Sequence, residues 1–386
     1  MTAGGAWAEV VGQPDAVEEL SRAAADPTAM THAWLFTGPP GSGRSVAARA
    51  FAAALQCPDH GCGHCTACHT VLSGTHSDVR EVVPEGLSIS VSEMRALVQL
   101  AARRPATAPH QILIITDADR LTEGAANALL KAVEEPPERT VFLLCAPSDH
   151  PDDVPITIRS RCRVVPLRTP SGESIAQVLT ERDGVPSDMA AWAASVSGGH
   201  VGRARHLARD PEVRKHREAV LAMPLRMRGL GDAFSFAGDL VRTAKAEATT
   251  MSETRDLAER EEMAVAMGAG GVGKGVAAAA RGARAAEREL ERRQKSRNTR
   301  TQRDAIDRAL VDLASFFRDA LVVGSGADVP LTNPDREAEV RRAATEWPAE
   351  SVLRRLEAVL ACRTALDQNV KPEIAVEAMM TVLQRG

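Results

Sequence analysis

Residues 32–55, HAWLFTGPPGSGRSVAARAFAAAL, constrain the fold of this chain more than any other segment. They predict a short apolar strand, a Gly/Pro loop and an Ala-rich helix in direct succession. Apolar runs of strand length recur at 111–116 and 140–146, and between them a helix is predicted over 122–135, with Thr122 as its N-cap. Strands that alternate with helices indicate a mostly parallel sheet covered on both faces.

The chain of 386 residues is long enough for two or three domains, and its pattern changes after residue 166. We predict an α/β domain over 1–166, a small helical domain over 167–212 and a helical domain over 213–386. Within the last domain, residues 245–300 form an insertion rich in Ala, Glu, Arg and Gly, and residues 281–308 carry ten basic against five acidic side chains. The insertion is either a solvated helical face with a glycine hinge or a contact for a nucleic-acid or protein partner.

Two helices of the last domain have recognisable core faces. One repeats apolar residues at three- and four-residue steps, at Ile306, Leu310, Leu313, Phe317 and Leu321. The final segment begins with Pro372 at a predicted N1 position and is expected to direct Ile374 and Met380 towards a core. Both patterns predict an all-helical C-terminal domain.

The overall composition excludes several classes of protein. Aromatic residues make up 3% of the chain, with no tyrosine, so aromatic base-stacking surfaces are not expected. The net charge of −4 and a pI near 6.2 argue against a surface built throughout to bind nucleic acid. Neither a long apolar run nor a basic segment leading into an apolar one is present, so we predict a cytosolic protein without a membrane span or secretory signal.

A phosphate-loop pattern with one departure joins the first strand to the first helix of that segment. Gly38, Gly41, Gly43 and Ser45 fit G-x-x-x-x-G-K-[ST], in which backbone N–H groups surround phosphate oxygens and the hydroxyl binds magnesium. The lysine position holds Arg44, whose planar, forked group does not replace a compact ammonium in a tight cradle. A glycine loop that merely connects strand to helix is the alternative interpretation.

A second nucleotide-binding element is expected at the end of the second apolar strand. Asp117 occupies the position of a magnesium-binding acid, but Ala118 stands where a glutamate would orient the attacking water. Asp119 is one residue further along and, on a strand end, would point to the opposite side. Together with Arg44, Ala118 predicts that the chain does not hydrolyse ATP. Because Ser45 and Asp117 are retained, weak nucleotide binding stays open.

A second glycine-rich run, residues 268–275, even contains a lysine at the phosphate-loop position. It lacks the following Ser or Thr, and no strand precedes it. We therefore interpret this run as a flexible joint between helices.

Four of the seven cysteines lie close together in the sequence, at Cys57, Cys62, Cys65 and Cys68. Four thiolates suffice for a closed tetrahedral zinc site, and two-residue gaps let neighbouring sulfurs converge on one ion. Closed coordination leaves no position for water, so such a zinc ion is structural. The predicted zinc module covers about 56–76, within the α/β domain. Redox disulfides remain an alternative, as do histidine ligands in place of a cysteine, at His60, His64 and His69.

In their order along the chain, these motifs resemble one family, the delta-prime subunits of bacterial DNA polymerase III clamp loaders. The resemblance rests on Val11-Gly12-Gln13, on the phosphate loop with its four-cysteine insertion, on TDADRLTEGAANALLKAVEEPP over 116–137, and on the triplet Ser160-Arg161-Cys162. It is strong over residues 1–210, weaker over the helical remainder, and does not extend to 245–300.

The resemblance implies an AAA+ α/β domain with a zinc-binding insertion, a helical lid over 167–212 and an all-α collar over 213–386 through which subunits assemble. It also implies a subunit that does not hydrolyse ATP, in which Arg161, with Ser160, completes the ATP site of a neighbouring subunit in trans. The implied partners are the gamma/tau motor and delta subunits and, through the complex, the sliding clamp and primed DNA.

Two other functions stay open from the residues alone. An active gamma/tau-type ATPase motor of the same clamp loader would carry Lys at position 44 and Glu at position 118. A general nucleotide-binding regulator would need neither the Ser-Arg-Cys triplet nor a collar domain.

Overall fold

The computed structural model of the chain describes residues 4–84, 86–266 and 276–386. Side chains within 264–286 are not part of this description. The chain divides into two compact units, Met1–Arg209 and Asp210–Gly386. The first unit is an α/β structure that ends in three short helices, and the described part of the second unit is helical. Each unit has its own hydrophobic core.

A five-stranded parallel sheet forms the centre of the first unit. In chain order its strands are β1 (Ala33–Thr37), β2 (Val79–Val82), β3 (Gln111–Ile115), β4 (Thr140–Ala146) and β5 (Arg163–Pro166). Their order across the sheet is β2-β3-β4-β1-β5, and every neighbouring pair is parallel. Leu35 of β1 is in register with Leu144 of β4. The predicted parallel α/β sheet is therefore confirmed.

Helices cover both faces of this sheet. They are α1 (Pro14–Ala25), α2 (Arg44–Gln56), α3 (Thr66–Leu72), α4 (Val91–Ala101), α5 (Glu123–Glu134) and α6 (Ile156–Arg159), followed by α7 (Gly172–Glu181), α8 (Ser187–Val196) and α9 (Val201–Arg209). Trp34 and Phe36 of β1 pack on Phe51 of α2, with ring centroids 5.0 and 6.5 Å apart. Leu35 joins the core on the other face with Met94 of α4. This alternation explains why the central strands are apolar throughout.

The local predictions for the first unit hold at the centre of the sheet and fail at its edges. β1, β3, β4 and α5 lie where the apolar runs predict them, and Thr122 Oγ1 caps α5 by accepting a hydrogen bond from the Ala125 N–H (3.3 Å). β2 and β5 were not predicted, because their sequences, VREV and RVVP, include charged residues. Both are edge strands and are only partly covered.

The second unit is built from helices around one core. They are α10 (Pro211–Arg226), α11 (Leu230–Ala266), α12 (Val276–Ser325), α13 (Glu337–Glu346), α14 (Ala349–Asp367) and α15 (Pro372–Arg385). The periodic face on α12 is confirmed, because Ile306, Leu310, Leu313 and Phe317 are each 0% exposed and Leu321 packs partly buried against them. In the part of the chain that the structure describes, no helix is long and apolar enough to cross a membrane.

The prediction for the last helix is half wrong. Pro372 does begin α15 and Met380 is 0% exposed, but Ile374 is 57% exposed. Residues six positions apart on a helix of 3.6 residues per turn cannot share one narrow face. The core-facing residues of α15 are Ala375, Val376, Met379, Met380 and Leu383.

Helices α11 and α12 continue beyond this core as an antiparallel pair, which we call the arm (residues 249–266 and 276–304). Ala248 and Ala305 are the last buried apolar residues before it, at 0% and 4% exposure. Further out the described contacts are polar: Arg297 Nη2 lies 2.5 Å from Asp256 Oδ1 and 2.7 Å from Glu259 Oε2. Part of the basic excess of α12 is therefore balanced by α11 of the same chain. The glycine-rich run 268–275 lies outside the described residues.

Candidate functional site

The phosphate loop follows the carboxyl end of β1 and leads directly into α2. Gly38, Gly41 and Gly43 have positive φ angles of 153°, 90° and 88°, which residues with a side chain rarely adopt. Gly43 is the N-cap of α2 and Arg44 is its first residue, so the positive end of the helix faces the loop, and Ser45 follows in its first turn. The loop therefore has the shape of a phosphate cradle, although the chain lacks the motif's lysine.

Protein atoms from other segments approach this loop closely. The backbone of His200 lies against Gly41, so that a Cβ at this glycine would be 2.9 Å from the His200 Cα. Gln13 Nε2 donates to the carbonyl oxygen of Ser42 (3.2 Å) and to that of Arg168. Gln13 Oε1 in turn accepts from the Arg168 N–H (3.1 Å). The loop is thus held by the N-terminal segment and by the chain that follows β5.

The second nucleotide-binding element, at Asp117 and the two residues after it, lies close enough to Arg44 for their charges to interact. Ala118 is 1% exposed, so a buried methyl group stands where a hydrolytic glutamate is expected. Burial raises the pKa of the Asp119 carboxyl and the charge of Asp117 raises it further, while Arg44 lowers it. The expectation that Asp119 points away assumed a strand, but the residue lies in a 3-10 turn that begins at Ala118. Nη1 of Arg44 is buried and has no hydrogen-bond partner among the described residues.

Arg161 lies at the surface beyond the end of α6, where Ser160 is the C-cap. Its Nη1 donates to the carbonyl oxygen of Thr157 (2.9 Å) and to Ser160 Oγ (3.2 Å). Its Nη2 lies 2.6 Å from Glu134 Oε1, and both side chains are 39% exposed. Ile156, on the same short helix, is 61% exposed. The Arg161 guanidinium is held by hydrogen bonds and is partly exposed, so it can be offered to another molecule.

The four predicted thiols come together in space. Their Sγ atoms all lie within 4.8 Å of one another, and that of Cys57 is 3.6 Å from those of Cys62 and Cys65. A tetrahedron with metal–sulfur bonds of about 2.3 Å has edges of about 3.8 Å, so this spacing fits one four-coordinate metal ion. The N–H groups of Cys65 and Cys68 point at the Sγ atoms of Cys62 and Cys65 (3.4 Å each). Such donors stabilise thiolates.

The cluster consists of the four cysteines and includes no histidine among the described residues. Burial acts to raise the pKa of Cys57, yet hydrogen bonds from backbone N–H groups, first that of Cys62, lower it to about 6. Burial raises the pKa of the Cys68 thiol, so the cluster does not supply four thiolates unaided, and a bound metal ion would favour the deprotonated form. The nearby histidines are exposed and are not members of the cluster, at His60, His64 and His69.

The loop that carries these cysteines, residues 57–68, which we call the knuckle, is docked on the N-terminal 3-10 helix Gly5–Glu9. The Ala6 N–H donates to the carbonyl oxygen of Gly61 (2.9 Å). Gly63 packs so closely on the helix that a Cβ would lie 2.5 Å from the Cα of Gly5. The contact therefore requires glycine on both sides.

Sequence reasoning missed three further groups. Glu9 pairs with Arg182 Nη2 (2.6 Å) and Arg205 Nη2 (2.9 Å), across long stretches of chain that carry no local pattern. Gln13 belongs to the motif Val11-Gly12-Gln13, but this motif does not predict its hydrogen bond to the phosphate loop. Glu134 belongs to the quoted run ending EEPP, and its position in this motif was the one signal that could have drawn attention to it.

Two protein families match this chain. The family described as DNA polymerase III, delta subunit, matches residues 12–171. The family described as DNA polymerase III, delta subunit, C terminal, matches residues 301–385. The first match includes the phosphate loop, the four cysteines and Arg161, and neither match includes residues 245–300.

Several proteins similar to this chain are subunits of DNA polymerase III. The DNA polymerase III subunit delta' of Bacillus subtilis is 26% identical over 384 residues, which cover 98% of this chain and 99% of that protein. Delta' of Escherichia coli is 32% identical over 45% of this chain and 53% of its own length. The tau subunit of Bacillus subtilis is 36% identical over 40% of this chain but only 28% of its own length. A gamma subunit-related protein of Thermotoga maritima aligns in structure with a TM-score of 0.41 and 15% identity, over 96% of this chain and 99% of that one.

The matched families and relatives define this chain as a subunit of DNA polymerase III. The similarity to tau and to gamma/tau is partial, whereas that to delta' of Bacillus subtilis extends over 98% of the chain. The chain belongs to the delta-prime family, a component of the clamp loader of DNA polymerase III.

Proposed function

We propose that this delta-prime subunit does not hydrolyse ATP itself and instead supplies Arg161 in trans to the ATP site of a neighbouring motor subunit. A guanidinium placed beside the γ-phosphate neutralises the negative charge of the transition state. Ser160 holds the Arg161 side chain through its hydroxyl (3.2 Å). In this role the subunit helps to load the sliding clamp on primed DNA during replication.

The observation that carries the proposal is the buried methyl group of Ala118, at 1% exposure, at the end of the strand that precedes Asp117. Because this position holds an alanine, it provides no carboxylate to align a water molecule for attack on a γ-phosphate. Arg44 supports the same conclusion, because its forked group does not replace the phosphate-binding lysine. The subunit thus lacks two parts of the hydrolytic machinery but retains an exposed arginine.

We propose that three parts of the chain have different roles. Residues 1–166 form the AAA+ domain, 167–212 its lid, and 213–386 a collar that assembles with other subunits. The parallel sheet and the three short helices after β5 support this division of the first unit. The partners are the gamma/tau motor and delta subunits and, through the complex, the sliding clamp and primed DNA.

We also propose that the metal held by the knuckle is zinc. Bound to four thiolates, zinc has a structural role and no position for substrate. Cys57, Cys62, Cys65 and Cys68 would supply the ligands, and their spacing supports this assignment. The ion would stabilise the turn that carries these residues between α2 and α3.

The arginine role is tested by Arg161→Ala in a clamp loader reconstituted with its own motor and delta subunits. Loss of an arginine supplied in trans slows ATP hydrolysis at the affected site by orders of magnitude, while the other sites keep their own arginines. The ATPase stimulated by clamp and primed DNA should therefore fall by the share of the affected site, roughly a third when two other equivalent sites stay active, with assembly unchanged on gel filtration. Steady-state ATP hydrolysis is the measurement.

Arg159→Ala is the matched control. Arg159 is the last residue of α6, two positions before Arg161, and is also an exposed ion-pair residue, but its partner is Asp149 (2.6 Å). Equal ATPase rates for the Arg161→Ala and wild-type loaders would contradict the proposed role. The isolated subunit should hydrolyse ATP no faster than buffer does, and turnover that Arg44→Ala abolishes would instead support the motor alternative.

A further inference from the structure

The guanidinium of Arg161 is held from two sides within the subunit. On one side, the Thr157 carbonyl oxygen and Ser160 Oγ accept hydrogen bonds from Nη1 (2.9 and 3.2 Å). On the other side, Glu134 Oε1 lies 2.6 Å from Nη2. The Thr157 and Ser160 contacts come from the arginine's own segment, whereas Glu134 comes from a different element.

Glu134 has a fixed position because it is the last residue of α5. This helix is anchored in the core by Leu129 and Val133, which are each 0% exposed. Pro136 follows two residues later and prevents the helix from continuing. The carboxylate is therefore presented at the surface by a rigid element. Glu135, its neighbour, forms no ion pair among the residues that the structure describes.

We propose that Glu134 is a positioning residue that holds Arg161 in the unengaged subunit and competes with the γ-phosphate of the neighbouring site for it, an inference that rests on the proposed role of Arg161. A phosphate that reaches the guanidinium brings negative charge close to the Glu134 carboxylate. Like charges at this distance repel, so engagement requires Glu134 to release the Nη2 group. The pair is partly exposed, so this release is inexpensive and reversible.

The test is Glu134→Gln in the fully reconstituted loader, assayed with clamp and primed DNA. Glutamine keeps the length of the side chain but removes the competing charge. The KM for ATP should fall by about two- to fivefold, the range that corresponds to an exposed ion pair, with little change in kcat. Because exposed charges are screened, the difference in KM should shrink as salt is raised. Glu135→Gln is the matched control and should leave KM unchanged.

A double variant separates this inference from the proposed function. If Glu134 acts through Arg161, the KM of Glu134→Gln/Arg161→Ala should equal that of Arg161→Ala alone. An equal shift in both backgrounds overturns the positioning role. The positioning role is also overturned if Glu134→Gln leaves KM unchanged while Arg161→Ala lowers the ATPase rate. In that case the proposed function stands. If Arg161→Ala itself has no effect, the proposed function fails and the inference fails with it.

Discussion

Arg44 and Ala118 act on different parts of the same chemistry. A lysine at position 44 would bring a compact charge to the phosphates, and a glutamate at position 118 would orient water. The structure places both substitutions around one site, since the charge of Arg44 acts on the carboxyl of Asp119 in the turn that starts at Ala118. In the proposed function, the absence of the lysine charge and the absence of the water-orienting glutamate therefore both disfavour ATP hydrolysis at this one site.

The side chain of Gln13 fixes the phosphate loop to a neighbouring segment of the chain. Its amide is 5% exposed and forms hydrogen bonds to Ser42 and Arg168. Gln13→Ala would leave these buried backbone groups unpaired, so the free energy of unfolding should fall by about 2–3 kcal/mol. Urea unfolding measures this loss. Gln177→Ala is the control, since its bond to Glu181 is exposed, and it should cost less than about 0.5 kcal/mol. Equal losses for the two variants would contradict the role given to Gln13.

At the scale of the elements, the 3-10 helix Gly5–Glu9 contacts several separate parts of the first unit. One end touches the knuckle through the Ala6–Gly61 hydrogen bond (2.9 Å). At the other end Glu9 bonds to Arg182, which follows α7, and to Arg205 of α9. A five-residue element thus connects the knuckle with the helices after the sheet. A loss of order in the knuckle should therefore change the solvent exposure of Trp7, which lies in this helix and is 6% exposed.

Metal removal tests this connection. Without the ion, four clustered thiols have no shared ligand and the knuckle should lose its order. Treatment with a strong chelator should release about one equivalent of zinc and lower stability by about 2 kcal/mol or more, roughly 4–8 °C in Tm. Trp7 should become accessible to acrylamide quenching.

The comparison with Trp7→Phe isolates this signal, because three other tryptophans also contribute to the fluorescence. The chelator-dependent change in quenching should be absent from this variant. A folded protein that contains no metal, or quenching that chelation leaves unchanged in the wild type, would contradict the link between knuckle and helix.

At the scale of the whole molecule, patterns that are local in sequence could be predicted and pairings between distant residues could not. The continuous apolar runs of β1, β3 and β4 and the spacing of the cysteines are local signals, and the structure agrees with both. The ion pair of Glu9 with Arg205 joins residues 196 positions apart, so no periodicity reports it. Ile374 was misplaced for a related reason: two apolar residues do not determine the phase of a helix.

The packing of the arm indicates that the second unit does not need it to fold. The apolar core of this unit includes Ala244 and Ala305 but no described residue of the arm beyond them. The Arg297–Asp256 and Arg308–Glu247 contacts set an antiparallel register that brings the chain near residue 253 beside residue 300. A short loop of about three to five residues could therefore replace 254–299.

We expect the shortened protein to remain folded, with a cooperative thermal transition within roughly 4 °C of the wild type, because it loses the partly buried ion pairs of Arg297, whose desolvation offsets much of their attraction, and no contact of the apolar core. Leu313→Ala is the comparison within the same unit, since this side chain is 0% exposed and its truncation should cost about 2–5 kcal/mol. Calorimetry of both variants decides the point. A broad or missing transition in the shortened protein would mean that the ion pairs of Arg297 support the core from outside, and that the arm belongs to the folding unit.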